Sequence, residues 1–248
     1  MLSFPTNKPE QLMALENCVL LVETGSKLHG TSNADSDEDF AGVYVPSPEY
    51  AFGLKDYPQV NLGTKPVGSN RPNTPQDRDC TLYSLKRFVS LLLHNNPERM
   101  EYLFAPNSSI VHITPVGRRL LESTELFLSR TVYWSFGEYA SSQVERLLKE
   151  SEDKKEYNYK MAAHALRLYI EGRELLTTWK IKFPLTLAPV VKTVKEGGWT
   201  KEQFVKEVGE YEDMLDRAYR DTTIHTEVDY EGANELLVEL HKLHWGMS

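Results

Sequence analysis

Short apolar runs bounded by turn residues make up the first part of the chain. CVLLVET (18–24), DFAGVYVP (39–46) and QVNLG (59–63) have the length and the β-branched content of strands. A helix is expected before the first of them, and SLKRFVSLLLHN (84–95) carries apolar residues at the spacing of an amphipathic helix. The pattern therefore predicts a mixed β-sheet with flanking helices.

Helical periodicity replaces the strand pattern near residue 112. Four long stretches show it: 131–151, 156–180, 200–220 and 231–245. Long helices that follow one another without strands favour a helical bundle. We therefore predict an α+β protein with an N-terminal mixed β-sheet domain at 1–112 and a C-terminal helical bundle domain at 113–248.

The segment GTKPVGSNRPNTPQ (63–76) is rich in proline, glycine and polar residues. This composition is typical of a flexible connection rather than of a strand or a helix. Long loops inside a compact domain often cover a site, so we expect this segment to lie near one.

The composition indicates a folded protein with a sizeable core. Of the 248 residues, 40% are hydrophobic. The two cysteines, Cys18 and Cys80, are too few for a disulfide framework or a zinc knuckle. The chain begins without a basic stretch followed by an apolar one, and no run reaches the ~18 apolar residues of a membrane span. We therefore expect a cytoplasmic protein with no membrane partner.

The net charge of −8 argues against a broad nucleic-acid-binding surface, because the phosphate backbone attracts positively charged protein. An RNA end needs only a local basic patch. Candidates for such a patch lie in and after the flexible connection: Lys65, Arg71, Arg78, Lys86 and Arg87.

The motif GSKLHG (25–30) directly follows the first strand-like run. A strand that turns sharply into a short helix at a glycine presents backbone N–H groups to an anion. Gly25 permits close approach, Ser26 offers a hydroxyl and Lys27 offers a positive charge. The motif therefore predicts a phosphate-binding turn.

Two acids follow at a spacing that suits a metal ion. If Asp37 and Asp39 begin a strand, both side chains project from one face, whereas Glu38 points away. Paired carboxylates repel each other unless a cation lies between them, and their hard oxygen ligands suit Mg²⁺ or Mn²⁺. The pair therefore predicts a divalent metal site beside the phosphate-binding turn.

The acidic run has two other interpretations. A solvated turn is the ordinary structure for such a run, with Asp35 as a turn residue. An EF-hand calcium loop fails on its own signature, because Phe40 stands where glycine is required and Pro46 where glutamate is required.

The combined motifs resemble the nucleotidyltransferase superfamily that includes DNA polymerase β. GSKLHG (25–30) and SDEDFAGVYV (36–45) match its Gly-Ser turn and its Asp-x-Asp strand. The chain is most similar to predicted nucleotidyltransferases that are found beside RNA-repair ligases and are common in phages. The matching segments also include DCTLYSLKRFVSLLLHNNPERMEYLFAP (79–106) and KMAAHALRLYIEGRELLTTWKIKFPL (160–185), so the resemblance covers most of the chain.

The resemblance implies a third carboxylate that serves as general base toward an acceptor hydroxyl and contacts a metal ion. Its position before the Tyr-Ser-Leu sequence assigns it to Asp79, with Asp77 as the alternative. Two metal ions bridged by Asp37 and Asp39 would lower the pKa of the acceptor hydroxyl. They would also neutralise charge on the α-phosphate and the pyrophosphate leaving group.

The resemblance further implies that Gly25 and Ser26 cradle the β- and γ-phosphates of an NTP. The chain departs from the family at Lys27 and His29, where an arginine and an aromatic residue are common. From the helical domain, His164 and Arg167 are implied to face the nucleotide at its phosphates. Without the resemblance, the polar positions of that helix would be read as a solvated face.

We therefore expect a nucleotidyltransferase that moves an NMP from an NTP to a hydroxyl acceptor, with the active site between the two domains. The acceptor is an RNA or tRNA end, a protein or a small molecule. The alternative is a module that binds or senses NTPs without transferring them.

Overall fold

A computed structural model of the chain describes residues 4–65, 71, 74–154 and 157–247. Within these ranges one five-stranded sheet is formed by β1 Cys18–Glu23, β2 Glu38–Tyr44, β3 Gln59–Gly63, β4 Arg78–Ser84 and β5 Ile110–Ile113. The strand order is β3-β4-β2-β1-β5. β2 and β4 are parallel, whereas the other three neighbouring pairs are antiparallel. The mixed sheet predicted from sequence is confirmed.

The three predicted strands correspond to β1, β2 and β3. The strand pattern did not predict β4 or β5, and β5 has only four residues and begins after a 3₁₀ turn. It pairs with β1 and extends across the expected boundary between residues 112 and 113. Half of the predicted connection 63–76 falls outside the described residues, since 66–70 and 72–73 are not described.

Helices pack against the sheet and form the second half of the described chain. They are α1 Pro9–Glu16, α2 Gly25–His29, α3 Pro48–Phe52, α4 Leu85–Leu92, α5 Pro97–Leu103, α6 Pro115–Glu122, α7 Thr131–Lys154, α8 Tyr159–Thr178, α9 Ala188–Lys195, α10 Lys201–Asp221 and α11 Tyr230–Trp245. The four long predicted helices are α7, α8, α10 and α11, whereas the short helices α3, α5, α6 and α9 were not predicted. None of these described helices is long and apolar enough to cross a lipid bilayer.

Local sequence signals explain where several helices begin. Thr200 and Gln203 form a reciprocal capping box at the start of α10, which pairs two N–H groups that the helix leaves without partners. Asp229 accepts a hydrogen bond from Gly232 at the start of α11. Asn96 precedes Pro97 at the start of α5, where proline loses no helical hydrogen bond.

The main apolar core is shared by the sheet and the helices. One cluster contains sheet residues such as Val22 and Val43 together with helix residues such as Phe136 and Leu168. A smaller cluster, which includes Leu21 and other sheet residues, packs α1 against the sheet. The sheet and the helical half are therefore held together by continuous apolar packing, and the division into two domains stays a prediction.

Candidate active site

Three aspartates meet at one end of the parallel strand pair. Asp39 on β2 is the register partner of Asp79 on β4, and Asp37 immediately precedes β2. Carboxylate oxygens of the three residues lie within 4.8 Å of one another. Because parallel strands begin at the same edge of a sheet, this pairing brings together acids that are distant in sequence. We refer to Asp37, Asp39 and Asp79 as the carboxylate cluster.

The first residue of α2 packs directly against this cluster. Gly25 has φ +63°, in the left-handed region that favours glycine. A Cβ atom at this position would lie 2.5 Å from Oδ2 of Asp39. A backbone hydrogen bond of 2.8 Å from Thr24 N–H to the Asp39 carbonyl joins the same two segments. The predicted strand-turn-helix is present, and its glycine is required by both its backbone angle and the proximity of Asp39.

The neighbouring carboxylates disfavour the negative charge of Asp39. Burial raises the pKa of Asp39, and the neighbouring charges of Asp37 and Asp79 raise it further. Lys195 on α9 acts in the opposite direction, since its positive charge favours ionised Asp39. The Lys195 amino group is partly buried and donates to the Thr31 carbonyl at 3.1 Å. A further cation at the cluster would relieve the remaining repulsion.

The predicted phosphate-binding side chains next to Gly25 differ in their surroundings. Ser26 lies in the first turn of α2 and is partly exposed. The Lys27 amino group pairs with Glu23 at 3.1 Å and with Glu38 at 2.9 Å. Glu38 also accepts from Arg78 at 2.6 Å. The charge of Lys27 is therefore already shared by two carboxylates.

Asp77, the alternative third acid, has other partners. Its buried carboxylate accepts from Arg71 Nη2 at 2.6 Å and from the Thr74 N–H at 2.7 Å. The hydrogen bond from Arg71 holds the pKa of Asp77 well below its usual range. The structure thus groups Asp79, rather than Asp77, with Asp37 and Asp39.

A cavity of about 350 Å³ lies beside the carboxylate cluster. It has the size of a small-molecule site. Its wall combines residues of the sheet and α2 with residues of α5 and α8, among them Gly25, Asp39, Asp79, Arg99, His164 and Arg167. Sequence-predicted residues from both halves of the chain therefore line one cavity.

A buried polar network underlies the cavity wall. Arg167 Nη1 on α8 donates to Glu101 on α5 and, at 3.0 Å, to Glu171. His29 Nε2 on α2 lies 2.9 Å from the second oxygen of Glu101. Burial alone would raise the pKa of Glu101, but the charges and hydrogen bonds of Arg167 and His29 together outweigh it and lower this pKa to about 2. Burial keeps the pKa of Glu171 well above its usual range, so Arg167 and Glu101 form the charged pair.

His164 joins this network from the same helix. Arg167 Nη2 donates to His164 Nδ1 at 3.0 Å, and the imidazole packs edge-on against Tyr139. The solvated-face interpretation is wrong for Arg167 and Glu171, because both side chains are buried. That the two predicted residues His164 and Arg167 contact phosphates stays a prediction.

Sequence reasoning did not single out Glu101, Arg99 or Lys195. Glu101 and Arg99 lie inside the family-like segment 79–106, but nothing in their spacing indicates that α5 packs against α8. Lys195 belongs to α9, a helix of eight residues that was not predicted. Only the tertiary arrangement brings Arg99 and Glu101 to the cavity and Lys195 close to Asp39.

Comparison with known proteins now identifies the class and the family. A mixed sheet with a Gly-Ser turn beside an Asp-x-Asp strand is the arrangement expected of the nucleotidyltransferase superfamily. The sequence profile of the RNA repair pathway DNA polymerase beta family matches residues 8–236, and the chain belongs to this family. The resemblance drawn from the motifs is thereby confirmed.

Two individual proteins also show similarity to the chain. An uncharacterised 38.9 kDa protein of enterobacteria phage T4, from the nrdC–mobD intergenic region, is 33% identical over 89 residues. The match covers 35% of this chain and 25% of the phage protein. A nucleotidyltransferase-like protein from Exiguobacterium sibiricum 255-15 is similar in structure, with a TM-score of 0.33 and 10% identity. This similarity covers 95% of the present chain and 75% of the other.

Proposed function

We propose that the protein transfers a nucleoside monophosphate from an NTP to a hydroxyl acceptor and releases pyrophosphate. The observation that carries the proposal is the convergence of Asp37, Asp39 and Asp79 beside the glycine turn at Gly25. Membership of the DNA polymerase beta family supports this assignment of the cluster.

The donor set fits Mg²⁺ or Mn²⁺. Three carboxylates offer hard oxygen ligands within one small volume, and their mutual repulsion raises the pKa of Asp39 beyond the effect of burial. When bound, such an ion supplies charge stabilisation to the phosphates and lowers the pKa of a hydroxyl ligand. Asp37, Asp39 and Asp79 would hold it.

The chain's own groups account for the remaining steps. The first N–H groups of α2, at Gly25 and Ser26, would bind phosphate oxygens, and Lys195 would add positive charge beside the cluster. Lys27 is the weaker phosphate ligand because Glu23 and Glu38 already pair with it. Asp79 would accept the proton of the attacking hydroxyl. The acceptor oxygen then bonds to the α-phosphorus as the bond to pyrophosphate breaks.

A second candidate function is an NTP-binding module without transfer. The specific observation in its favour is the departure at Lys27 and His29. Lys27 is paired with two carboxylates, and His29 is buried in the network below the cavity. Both functions require NTP binding, so only turnover separates them.

Asp79→Asn separates the enzyme from the binding module. In the enzyme, the amide keeps the shape of Asp79 but cannot accept the proton, so pyrophosphate release with an NTP and Mg²⁺ should fall by at least about 100-fold. NTP affinity should change by less than about threefold. Asp77→Asn is the matched control, since Asp77 contacts Arg71 and Thr74 instead of the cluster, and it should keep activity.

The results for wild type and the two variants distinguish the enzyme from the NTP-binding module. Wild-type protein that binds NTP but releases no pyrophosphate in the presence of a cell lysate would favour the binding module. If Asp77→Asn has a normal melting temperature but no activity, and Asp79→Asn retains activity, the general base would be Asp77.

The molecule that receives a label from the α-phosphate of the NTP identifies the acceptor. NTPs labelled at the α-phosphate, incubated with protein, Mg²⁺ and lysate, should transfer label to RNA, to protein or to a small molecule. The family description refers to RNA repair, so an RNA end is the first acceptor to test. Label in RNA that is lost in Asp79→Asn would establish that class.

A further inference from the structure

Two residues that line the cavity each have a buried nitrogen atom without a hydrogen-bond partner. Among the described residues, Arg99 Nε and His164 Nε2 are buried and make no hydrogen bond. Both residues line the same cavity as Asp39 and Asp79. Buried polar atoms in folded proteins are nearly always paired, so two unpaired atoms in one cavity point to a ligand that completes them.

The network below the cavity sets the protonation of His164. An arginine side chain donates hydrogen bonds and cannot accept them. Arg167 Nη2 lies 3.0 Å from His164 Nδ1, so Nδ1 is the acceptor. Burial and the charge of Arg167 lower the pKa of His164 to about 4, and the ring is therefore neutral at neutral pH. Its single proton must lie on Nε2, which makes this unpaired nitrogen a donor.

The remaining contacts of Arg99 hold its guanidinium in place. Nη1 donates to Glu98 and Nη2 donates to the Tyr83 hydroxyl. The guanidinium carbon also lies 4.5 Å from the centre of the Tyr83 ring. Each terminal nitrogen thus makes one hydrogen bond, whereas the buried Nε–H makes none among the described residues.

Charges around these two donors are balanced. Arg99 pairs with Glu98, Arg167 pairs with Glu101, and His164 is neutral. Lys195, in contrast, is close enough to Asp37 and Asp39 to influence the ionisation of Asp39. A triphosphate, with its high negative charge, is favoured beside Lys195 and the cation that the carboxylate cluster would hold. The nucleoside carries no charge and is therefore favoured beside Arg99 and His164, where the charges are balanced.

We propose that Arg99 Nε–H and His164 Nε2–H bind acceptor atoms of the nucleoside, in its base or ribose, and thereby select the nucleotide. The inference rests on the proposed function, because it assumes an NTP in this cavity. It revises the expectation that His164 contacts phosphates, and it makes Arg167 a positioning residue that fixes the His164 tautomer.

The test compares binding of whole nucleotides with binding of phosphates alone. Dissociation constants are measured by calorimetry with Mg²⁺ for α,β-methylene analogues of the four NTPs and for inorganic tripolyphosphate. His164→Ala should weaken binding of the preferred analogue about tenfold and change tripolyphosphate binding less than about twofold. Arg99→Lys, which keeps the positive charge but removes Nε–H, should behave in the same way.

Conservative variants separate hydrogen bonding from loss of structure. His164→Gln can place an amide N–H near the Nε2 position and should restore affinity to within about threefold of wild type. His164→Asn places its amide near the Nδ1 position and should not. His94→Ala is the matched control, because His94 is exposed and does not line the cavity. Melting temperatures establish that each variant is folded.

Three results would overturn the inference. If the variants lose equal affinity for the analogue and for tripolyphosphate, the two side chains contact the phosphates. Unchanged analogue affinity in folded His164→Ala and Arg99→Lys would remove them from the site. Both results leave the proposed function standing, whereas wild-type protein that binds none of the analogues would contradict the proposed function as well.

Discussion

At the scale of residues, the environment of a side chain decides its role more than its type does. Asp77 and Asp79 are two positions apart, yet Asp77 is paired with Arg71 and only Asp79 joins the carboxylate cluster. His164 was expected to contact phosphates. Burial and its contact with Arg167 make it a neutral donor, for which we propose the nucleoside as partner. Partners and protonation, which the sequence does not display, therefore set the chemistry of these side chains.

Stability should fall as pH is lowered from about 6.5 toward 4, partly because of His164. Its pKa in the folded protein is lowered from 6.5 to about 4, so the unfolded chain binds more protons in this interval. The contribution of this residue should reach roughly 2 kcal/mol at pH 5. Urea unfolding at pH 7 and pH 5 measures it as the difference between wild type and His164→Gln. An identical loss of stability in both proteins would show that His164 does not titrate as described.

At the scale of elements, the turn from β1 into α2 is the feature that sequence predicted best. A glycine, a buried strand before it and a short helix after it are all local signals, and the structure has them at Gly25. The contact that makes this glycine indispensable is not local, because it involves Asp39 on the neighbouring strand.

Gly25→Ala should reduce both stability and activity. The left-handed backbone angle costs roughly 1–2 kcal/mol for alanine, and the new Cβ must displace the Asp39 side chain from the carboxylate cluster. A misplacement of this kind should lower turnover by about 100-fold. Gly246→Ala is the matched control, since Gly246 has φ +66° and an added Cβ would meet no atom within 4 Å.

Gly246→Ala should therefore share the loss of stability and keep full turnover. Chemical unfolding and pyrophosphate release measure the two effects separately. Equal activity in Gly25→Ala and Gly246→Ala would contradict the claim that Gly25 positions Asp39.

At the scale of the whole molecule, the sequence predicted the classes of structure in each half but not the contacts that join them. Strand and helix patterns identified β1 to β3 and the four long helices. Glu101, Arg167 and His29 come from α5, α8 and α2, and a periodic pattern in one helix says nothing about which other helix it meets. For the same reason the cavity and Lys195 could not be located before the fold was known.

The buried network should contribute more to stability than surface ion pairs do. Arg167→Met leaves Glu101 as an uncompensated buried charge and should cost about 3–5 kcal/mol of unfolding free energy. Arg119→Met removes an exposed pair with Glu239 and should cost no more than about 1 kcal/mol. Urea unfolding at pH 7 compares the two.

Replacing Glu101 with a neutral residue in the Arg167→Met variant provides a further check on this network. Arg167→Met combined with Glu101→Gln should recover part of the stability lost in Arg167→Met, because no charge then remains buried. A cost for Arg167→Met as small as that of Arg119→Met would contradict the importance assigned to the network.

The proposed activity depends above all on a divalent metal ion held by the carboxylate cluster beside the phosphates of an NTP. A crystal structure with Mn²⁺ and an α,β-methylene NTP analogue, with anomalous scattering recorded to locate manganese, tests this claim most directly. We predict a manganese peak about 2.2 Å from oxygens of Asp37 and Asp39, with the α-phosphate in contact with the ion and the triphosphate against Gly25 and Ser26. Manganese or the analogue bound elsewhere, with the cluster empty, would contradict the claim.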